Sequence, residues 1–200
     1  MSVSKTIVTD LDRCIGCNAC AIACKVEHGI DLGIYWNHVE QMGPYGGWSE
    51  DGKTPHIQMY WLPITCQQCE NAPCIDVCPT GAAYRNEDGV VLIDQDSCIG
   101  CQQCIAACPY GVRTYNPQTS VVEKCTLCSE LTEQGEKPAC VKACCGRARF
   151  FGDLDDPESD AAKAIAAADP DSVHMLHDEG NAPLGRYILS EKTCTWVDEF

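Results

Sequence analysis

Sixteen of the 18 cysteines fall into four groups whose spacing could do inorganic chemistry. The first group is Cys14, Cys17, Cys20 and Cys24, and the third is Cys98, Cys101, Cys104 and Cys108; both are spaced C-x2-C-x2-C-x3-C and both open Cys-Ile-Gly-Cys. In the second group, Cys66, Cys69, Cys74 and Cys78, the middle gap widens to four residues, and in the fourth, Cys125, Cys128, Cys140 and Cys144, it widens to eleven. Three thiolates on one tight loop can cap three corners of an iron-sulfur cubane, and the fourth corner must then come from elsewhere in the chain. A zinc ribbon needs two C-x2-C pairs per metal and gives no reason for a three-cysteine run with a fourth cysteine behind it. Structural disulfides would favour dispersed cysteines, because C-x2-C pairs are too local to close useful loops.

A fourth cysteine three residues on and followed by proline ligates the neighbouring cluster in bacterial two-cluster ferredoxins. Cys78-Pro79 and Cys108-Pro109 carry that signature, and few residues separate their two motifs. Exchange between them gives one 4Fe-4S cluster on Cys66, Cys69, Cys74 and Cys108, and another on Cys98, Cys101, Cys104 and Cys78. The same rule applied to the outer pair gives a third on Cys14, Cys17, Cys20 and Cys144, and a fourth on Cys125, Cys128, Cys140 and Cys24. Cys145 and Cys194 remain outside the scheme; Cys194, far past the last motif, reads as a buried thiol.

The elements that must position these thiolates are short, and the fold class expected is α+β. Ala83–Arg85 and Val90–Ile93 flank the turn Asn86-Glu87-Asp88-Gly89, and Val112–Tyr115 and Val121–Glu123 flank a second turn at Asn116-Pro117. Ala21-Ile22-Ala23 and Ile105-Ala106-Ala107 predict short helical turns that aim the last thiolate of each motif at its neighbour. Asp156-Pro157-Glu158 predicts a longer helix, capped by Asp156 and running to Ala168, that packs outside the cluster core. Strand-like Val173–Leu176 and Arg186–Leu189 follow. The organisation expected is two bacterial-ferredoxin-like modules with hairpins and small helices. The outer module takes residues 1–33 and 109–152, and the inner module takes 66–108. An aromatic-rich insert occupies 34–65, and 153–200 form an acidic C-terminal extension with a helix and strands.

Charge and composition remove other classes. The net charge of -15 supplies no basic face for nucleic acid. Residues 151–200 hold 12 of the 29 acids and only 3 of the 14 bases, while most other bases sit among the cysteines. No apolar run reaches the roughly 18 to 20 residues of a membrane span, and Met1–Asp10 carries no visible export signal. The five histidines, His28, His38, His56, His174 and His177, have no competing metal spacing and read as surface or interface residues. Gly43-Pro44-Tyr45-Gly46-Gly47 is too irregular for a phosphate loop. The insert holds Tyr35, Trp36, Tyr45, Trp48, Tyr60 and Trp61, residue types that favour interface cores, and reads equally as part of a docking face or as plain packing. Lys25, Arg113, Lys124, Lys142, Arg147 and Arg149 are the cations placed to raise cluster potentials.

The four-motif order, the widened fourth motif, and the run Pro138-Ala-Cys-Val-Lys-Ala-Cys144 continuing through Arg147-Ala-Arg-Phe-Phe-Gly-Asp-Leu-Asp-Asp-Pro157 resemble the iron-sulfur electron-transfer subunits of the DMSO reductase family of molybdenum and tungsten enzymes. The resemblance covers about residues 5–160. It implies a four-cluster subunit without a catalytic site of its own. Electrons would pass between a large catalytic subunit, which carries the molybdenum or tungsten bis-pterin cofactor, and either a membrane quinone-linked anchor subunit or a soluble donor. Relatives in this family place proline after the last cysteine of the fourth motif. Here Cys145 stands there, and the spacing favours Cys144 as the ligand. All four positions of the third motif are cysteine, so no three-iron cluster is expected. The transmembrane helix of formate dehydrogenase relatives is lacking, which disfavours that role. The location implied is cytoplasmic, or periplasmic by co-export with a signal-bearing partner. A free-standing polyferredoxin and the electron-transfer subunit of a membrane hydrogenase are the competing functions.

Overall fold

The computed structural model describes residues 4–197 apart from Asp51 and Thr54. The first and last three residues, counted above in the outer module and the extension, lie outside the described residues. A four-stranded sheet joins the two ends of the chain. Strand β1 (Lys5–Asp10) pairs antiparallel with Arg149–Asp153 and parallel with Arg186–Ile188, which in turn pairs antiparallel with Val173–His174. Side chains alternate across β1 as a strand requires. Ile7 enters the main core with Leu11, Trp36, Tyr60, Leu62, Ile64, Leu176, Tyr187 and Leu189, while Val8 turns to the other face and packs with Ala161 and Ile188.

Helix α1 (Ala19–His28) runs ten residues rather than the single turn expected around Ala21-Ile22-Ala23, ended by Gly29 at a left-handed φ of 58°. Two long strands follow, β2 (His38–Trp48) and β3 (Pro55–Ile64), paired antiparallel from His38↔Ile64 to Trp48↔Pro55 with a register shift between Met42 and Tyr45. This hairpin is what the aromatic insert builds. Next come α2 (Pro73–Asp76), β4 (Ala83–Arg85) paired with β5 (Val91–Ile93), and α3 (Gln103–Ala106), followed by β6 (Arg113–Asn116) paired with β7 (Val121–Lys124). Both short hairpins lie where the turn signals put them.

Helices α4 (Ser129–Thr132) and α5 (Ala139–Lys142) lead into β8 (Arg149–Asp153). The next helix, α6, spans Asp160–Ala167, starting later than its sequence suggested. Ser159 caps it by accepting the Ala162 amide at 3.0 Å, whereas Asp156 spends its carboxylate on the Glu158 amide one turn earlier. A hydroxyl three residues before the amide it accepts is the stronger N-cap geometry, and it outcompetes the Asp-Pro start. A 3-10 turn (Pro170–Ser172) leads into β9 (Val173–His174), and β10 (Arg186–Ile188) closes the sheet. The C-terminal segment is woven into the body of the protein: Leu176, Leu189 and Cys194 join the main core, with Cys194 buried as its isolation from the motifs suggested. No helix among the described residues is long and apolar enough to cross a membrane.

Candidate metal centres

The four motifs share one local design despite their different spacings. The residue before the second cysteine is left-handed in each: Gly16 (φ 66°), Gln68 (φ 53°), Gly100 (φ 64°) and Leu127 (φ 55°). A left-handed residue there tightens the loop so that the flanking sulfurs face one point. Glycine adopts it freely, and at Gly100 a Cβ would collide with the Ser120 carbonyl oxygen. Gln68 and Leu127 adopt it against a penalty of about 1–2 kcal/mol. Their side chains are among the most buried in the protein, and Gln68 Oε1 accepts the Val91 amide at 2.8 Å. The third cysteine of every motif, Cys20, Cys74, Cys104 or Cys140, is the second residue of a helix: α1, α2, α3 or α5. The fourth cysteine lies inside α1 as Cys24, and just past the other three helices as Cys78, Cys108 and Cys144.

Long-range packing then brings cysteines from different motifs together. One cavity is lined by Cys14, Cys17, Cys20 and Cys144, a second by Cys78, Cys98, Cys101 and Cys104, and a third by Cys66, Cys69, Cys74 and Cys108. They are alike in size, each with a volume of about 20 Å³. Cys24, Cys125, Cys128 and Cys140 form the fourth set: all are buried, and the Cys24 thiol feels the other three. These are the four groupings that the exchange rule put together. Among the described residues no three His, Cys, Asp or Glu side chains converge on a single-ion site. In three of the four sets the cysteines surround a small cavity, an arrangement that fits a cubane with thiolates at its corners.

The polar surroundings suit sulfur ligands. Backbone amides donate to cysteine sulfurs at Ala83→Cys78 (3.4 Å), Leu127→Cys125 (3.4 Å) and Ala148→Cys144 (3.2 Å). Side chains do so as well: Arg113 Nη2 donates to Cys74 Sγ at 2.8 Å and Asn181 Nδ2 to Cys69 Sγ at 3.1 Å, while His28 Nε2 sits 3.2 Å from Cys128 Sγ. Burial, reinforced by neighbouring thiols, pushes Cys69 up to about 12 and Cys125 up to about 12, so metal loading here displaces protons. Cys145 is exposed and lies outside the cavity that Cys144 lines, with its Sγ 3.4 Å from Cys17 Sγ.

Asn181 and His28 escape a reading by motif because they meet their cysteines from 112 and 100 residues away along the chain. Of the six cations expected near clusters, Arg113, Lys124 and Arg149 are buried beside cysteines. Lys25 instead donates to the Asp31 and Ile34 carbonyls, Lys142 pairs with Glu136, and Arg147 is exposed.

Comparison with known proteins bears on the same residues. A 4Fe-4S dicluster domain matches residues 57–154, and a second 4Fe-4S dicluster domain matches residues 13–82. The protein is 43% identical to a dimethyl sulfoxide reductase iron-sulfur subunit of Halobacterium salinarum, over 92% of its own length and 79% of that relative. It is 45% identical to the thiosulfate reductase electron transfer subunit of Salmonella typhi (74% and 76%), and 32% identical to the arsenate respiratory reductase iron-sulfur subunit of a Shewanella species (92% and 95%). With its ferredoxin-like 4Fe-4S domains and these relatives, the chain belongs to the iron-sulfur electron-transfer subunits of the DMSO reductase family, non-catalytic members of oxidoreductase complexes.

Proposed function

We propose that this chain holds four 4Fe-4S clusters in a row and conducts electrons between a molybdenum or tungsten catalytic subunit and a quinone-linked membrane subunit or soluble donor. The observation that carries the reading is the set of three like-sized cavities, each lined by cysteines of two motifs, together with the fourth buried cysteine set. The ligand sets are Cys14, Cys17, Cys20 and Cys144 for cluster 1; Cys98, Cys101, Cys104 and Cys78 for cluster 2; Cys66, Cys69, Cys74 and Cys108 for cluster 3; and Cys125, Cys128, Cys140 and Cys24 for cluster 4. Bound clusters supply reversible one-electron chemistry. The chain's own residues hold them, exclude water and set their potentials.

The order follows from which cysteines neighbour one another. Cys140 feels Cys20, linking clusters 4 and 1; Cys125 feels Cys66, linking 4 and 3; and Arg113 lines the cavities of both 3 and 2. The sequence along the wire is therefore 1, 4, 3, 2. Its two ends have the exposed ligands, Cys17 and Cys101, each beside an exposed isoleucine of the Cys-Ile-Gly-Cys motif, Ile15 or Ile99. Electron partners dock at those ends. The insert hairpin offers Trp48, Ile57 and Met59 to solvent and contributes to the large-subunit interface. The outer module is 1–33 with 109–152, the inner module 66–108, the insert 34–65, and 153–200 the extension that ties the ends together. The complex works in the cytoplasm, or beyond the membrane when a signal-bearing partner carries it across.

Anaerobic purification of the tagged chain from its own host, with metal analysis of whatever co-purifies, tests this reading. A large subunit with about one molybdenum or tungsten supports it. An iron-loaded chain with no stable partner would replace it by a free polyferredoxin, and nickel in the partner by a hydrogenase subunit.

A further inference from the structure

Three cations are buried in the interior: Arg113 (3% exposed), Lys124 (2%) and Arg149 (5%). None of them makes an ion pair with a carboxylate among the described residues. Burying a charge without a carboxylate partner is costly, and the side chains these three face are cysteines. Two buried donors, Arg113 Nη1 and Arg149 Nε, have no partner atom among the described residues. Each cation lies beside two different ligand sets. Arg149 lines the cluster 1 cavity and lies in the field of Cys20 and Cys140, of clusters 1 and 4. Lys124 donates to the carbonyl of Cys125, of cluster 4, and to the carbonyl of Val91, which lines the cluster 3 cavity. Arg113 lines the cavities of clusters 3 and 2, bonds Cys74 Sγ, and lies in the field of Cys104.

We propose that these residues form an alternating series with the clusters, one shared cation in each of the three gaps of the wire: Arg149 between 1 and 4, Lys124 between 4 and 3, Arg113 between 3 and 2. The proposal rests on the four-cluster reading above. A cubane with a 2+ core and four thiolates carries about -2, and one added electron makes it about -3. The electron leaves one cluster, which is oxidised by one, and reduces its neighbour by one; no bond or proton moves. A fixed cation between them stabilises the more reduced form of either, so it raises both potentials and offsets the repulsion between two adjacent reduced sites. The three residues act by positioning charge and take no electron themselves.

The test is redox-poised EPR on the purified holo-complex, comparing the parent with Arg149→Gln, Lys124→Gln and Arg113→Gln, each checked for full iron. Each substitution is expected to lower two of the four potentials, making reduction at least about tenfold less favourable, or about 59 mV for a one-electron couple. The pattern is diagnostic without assigning any signal. Arg149→Gln and Arg113→Gln should move two pairs with no member in common, and Lys124→Gln should move one member of each pair. Arg113→Lys, which keeps the charge, should restore most of the shift. If Arg113→Gln binds iron incompletely, Lys124→Gln reads the same rule, because among the described residues the Lys124 ammonium donates to carbonyl oxygens and to no cysteine sulfur. Unchanged potentials, a single moved potential per variant, or a uniform shift of all four would overturn the shared-cation series. A parent complex with fewer than four clusters in this chain would instead overturn the wire on which it rests.

Discussion

At the scale of single residues, the sequence was most readable where chemistry restricts the residue type. Runs of cysteines at such intervals are the usual ligands of cubanes, so sixteen candidate ligand positions could be proposed from spacing, and three of the four proposed sets line common cavities. The choice between adjacent Cys144 and Cys145 is sharpened by position: Cys144 lines the cavity and accepts the Ala148 amide, while Cys145 is exposed and outside that lining, against Cys17. Cys144→Ser is expected to remove one cluster, about four irons per chain, and Cys145→Ser to remove none, as read by iron analysis of the anaerobically purified complex. Loss of iron in the second variant and not the first would reverse the assignment. The residues that tune sulfur were less readable. Asn181 comes from the C-terminal extension and reaches Cys69 only because β10 pairs with β1 and folds that segment back. Replacing it with leucine removes a donor to sulfur and should lower the potential of one cluster, measured by redox-poised EPR, with iron content unchanged.

At the scale of elements, turn chemistry located the two module hairpins to within a residue, because Asn-rich and Pro-containing turns leave few alternatives. It failed at α6. There Asp156-Pro157 looked like a helix start, but Gly152 packs against Ser159, and Ser159 is the residue that caps. Ser159→Ala should therefore destabilise the protein by about 1 kcal/mol, and Asp156→Ala by less, compared in matched thermal melts. The β2–β3 hairpin was not foreseen as strands, since its glycines, prolines and polar residues disrupt the alternation that marks a strand. The left-handed position before each second cysteine predicts a sharper outcome. Gly100→Ala drives a Cβ into a backbone oxygen that cannot swing away, at φ 64°. That variant should lose cluster 2, seen as missing iron and a lower melting temperature.

At the scale of the whole molecule, the cysteines are not appended to a core; they are part of it. Cys20, Cys24, Cys66, Cys125 and Cys140 pack in the same buried group as Leu62, Ile64 and Tyr187. In the proposed sets each cluster joins two motifs, and the two outer sets join motifs about a hundred or more residues apart, so bound metal would close long loops that hydrophobic contacts alone would otherwise have to close. Metal binding is then folding free energy. Stripping iron with a chelator should convert the chain to a protease-sensitive state with lost near-ultraviolet circular dichroism, while leaving a well-folded apoprotein would argue that the sheet and insert suffice. The central claim is the number and kind of inorganic groups, and native mass spectrometry of the anaerobic complex, with this polypeptide released in the gas phase, measures it most directly. The account predicts the polypeptide mass plus about 1.4 kDa, four 4Fe-4S groups. An excess of about half that, or steps matching single zinc ions, would contradict it.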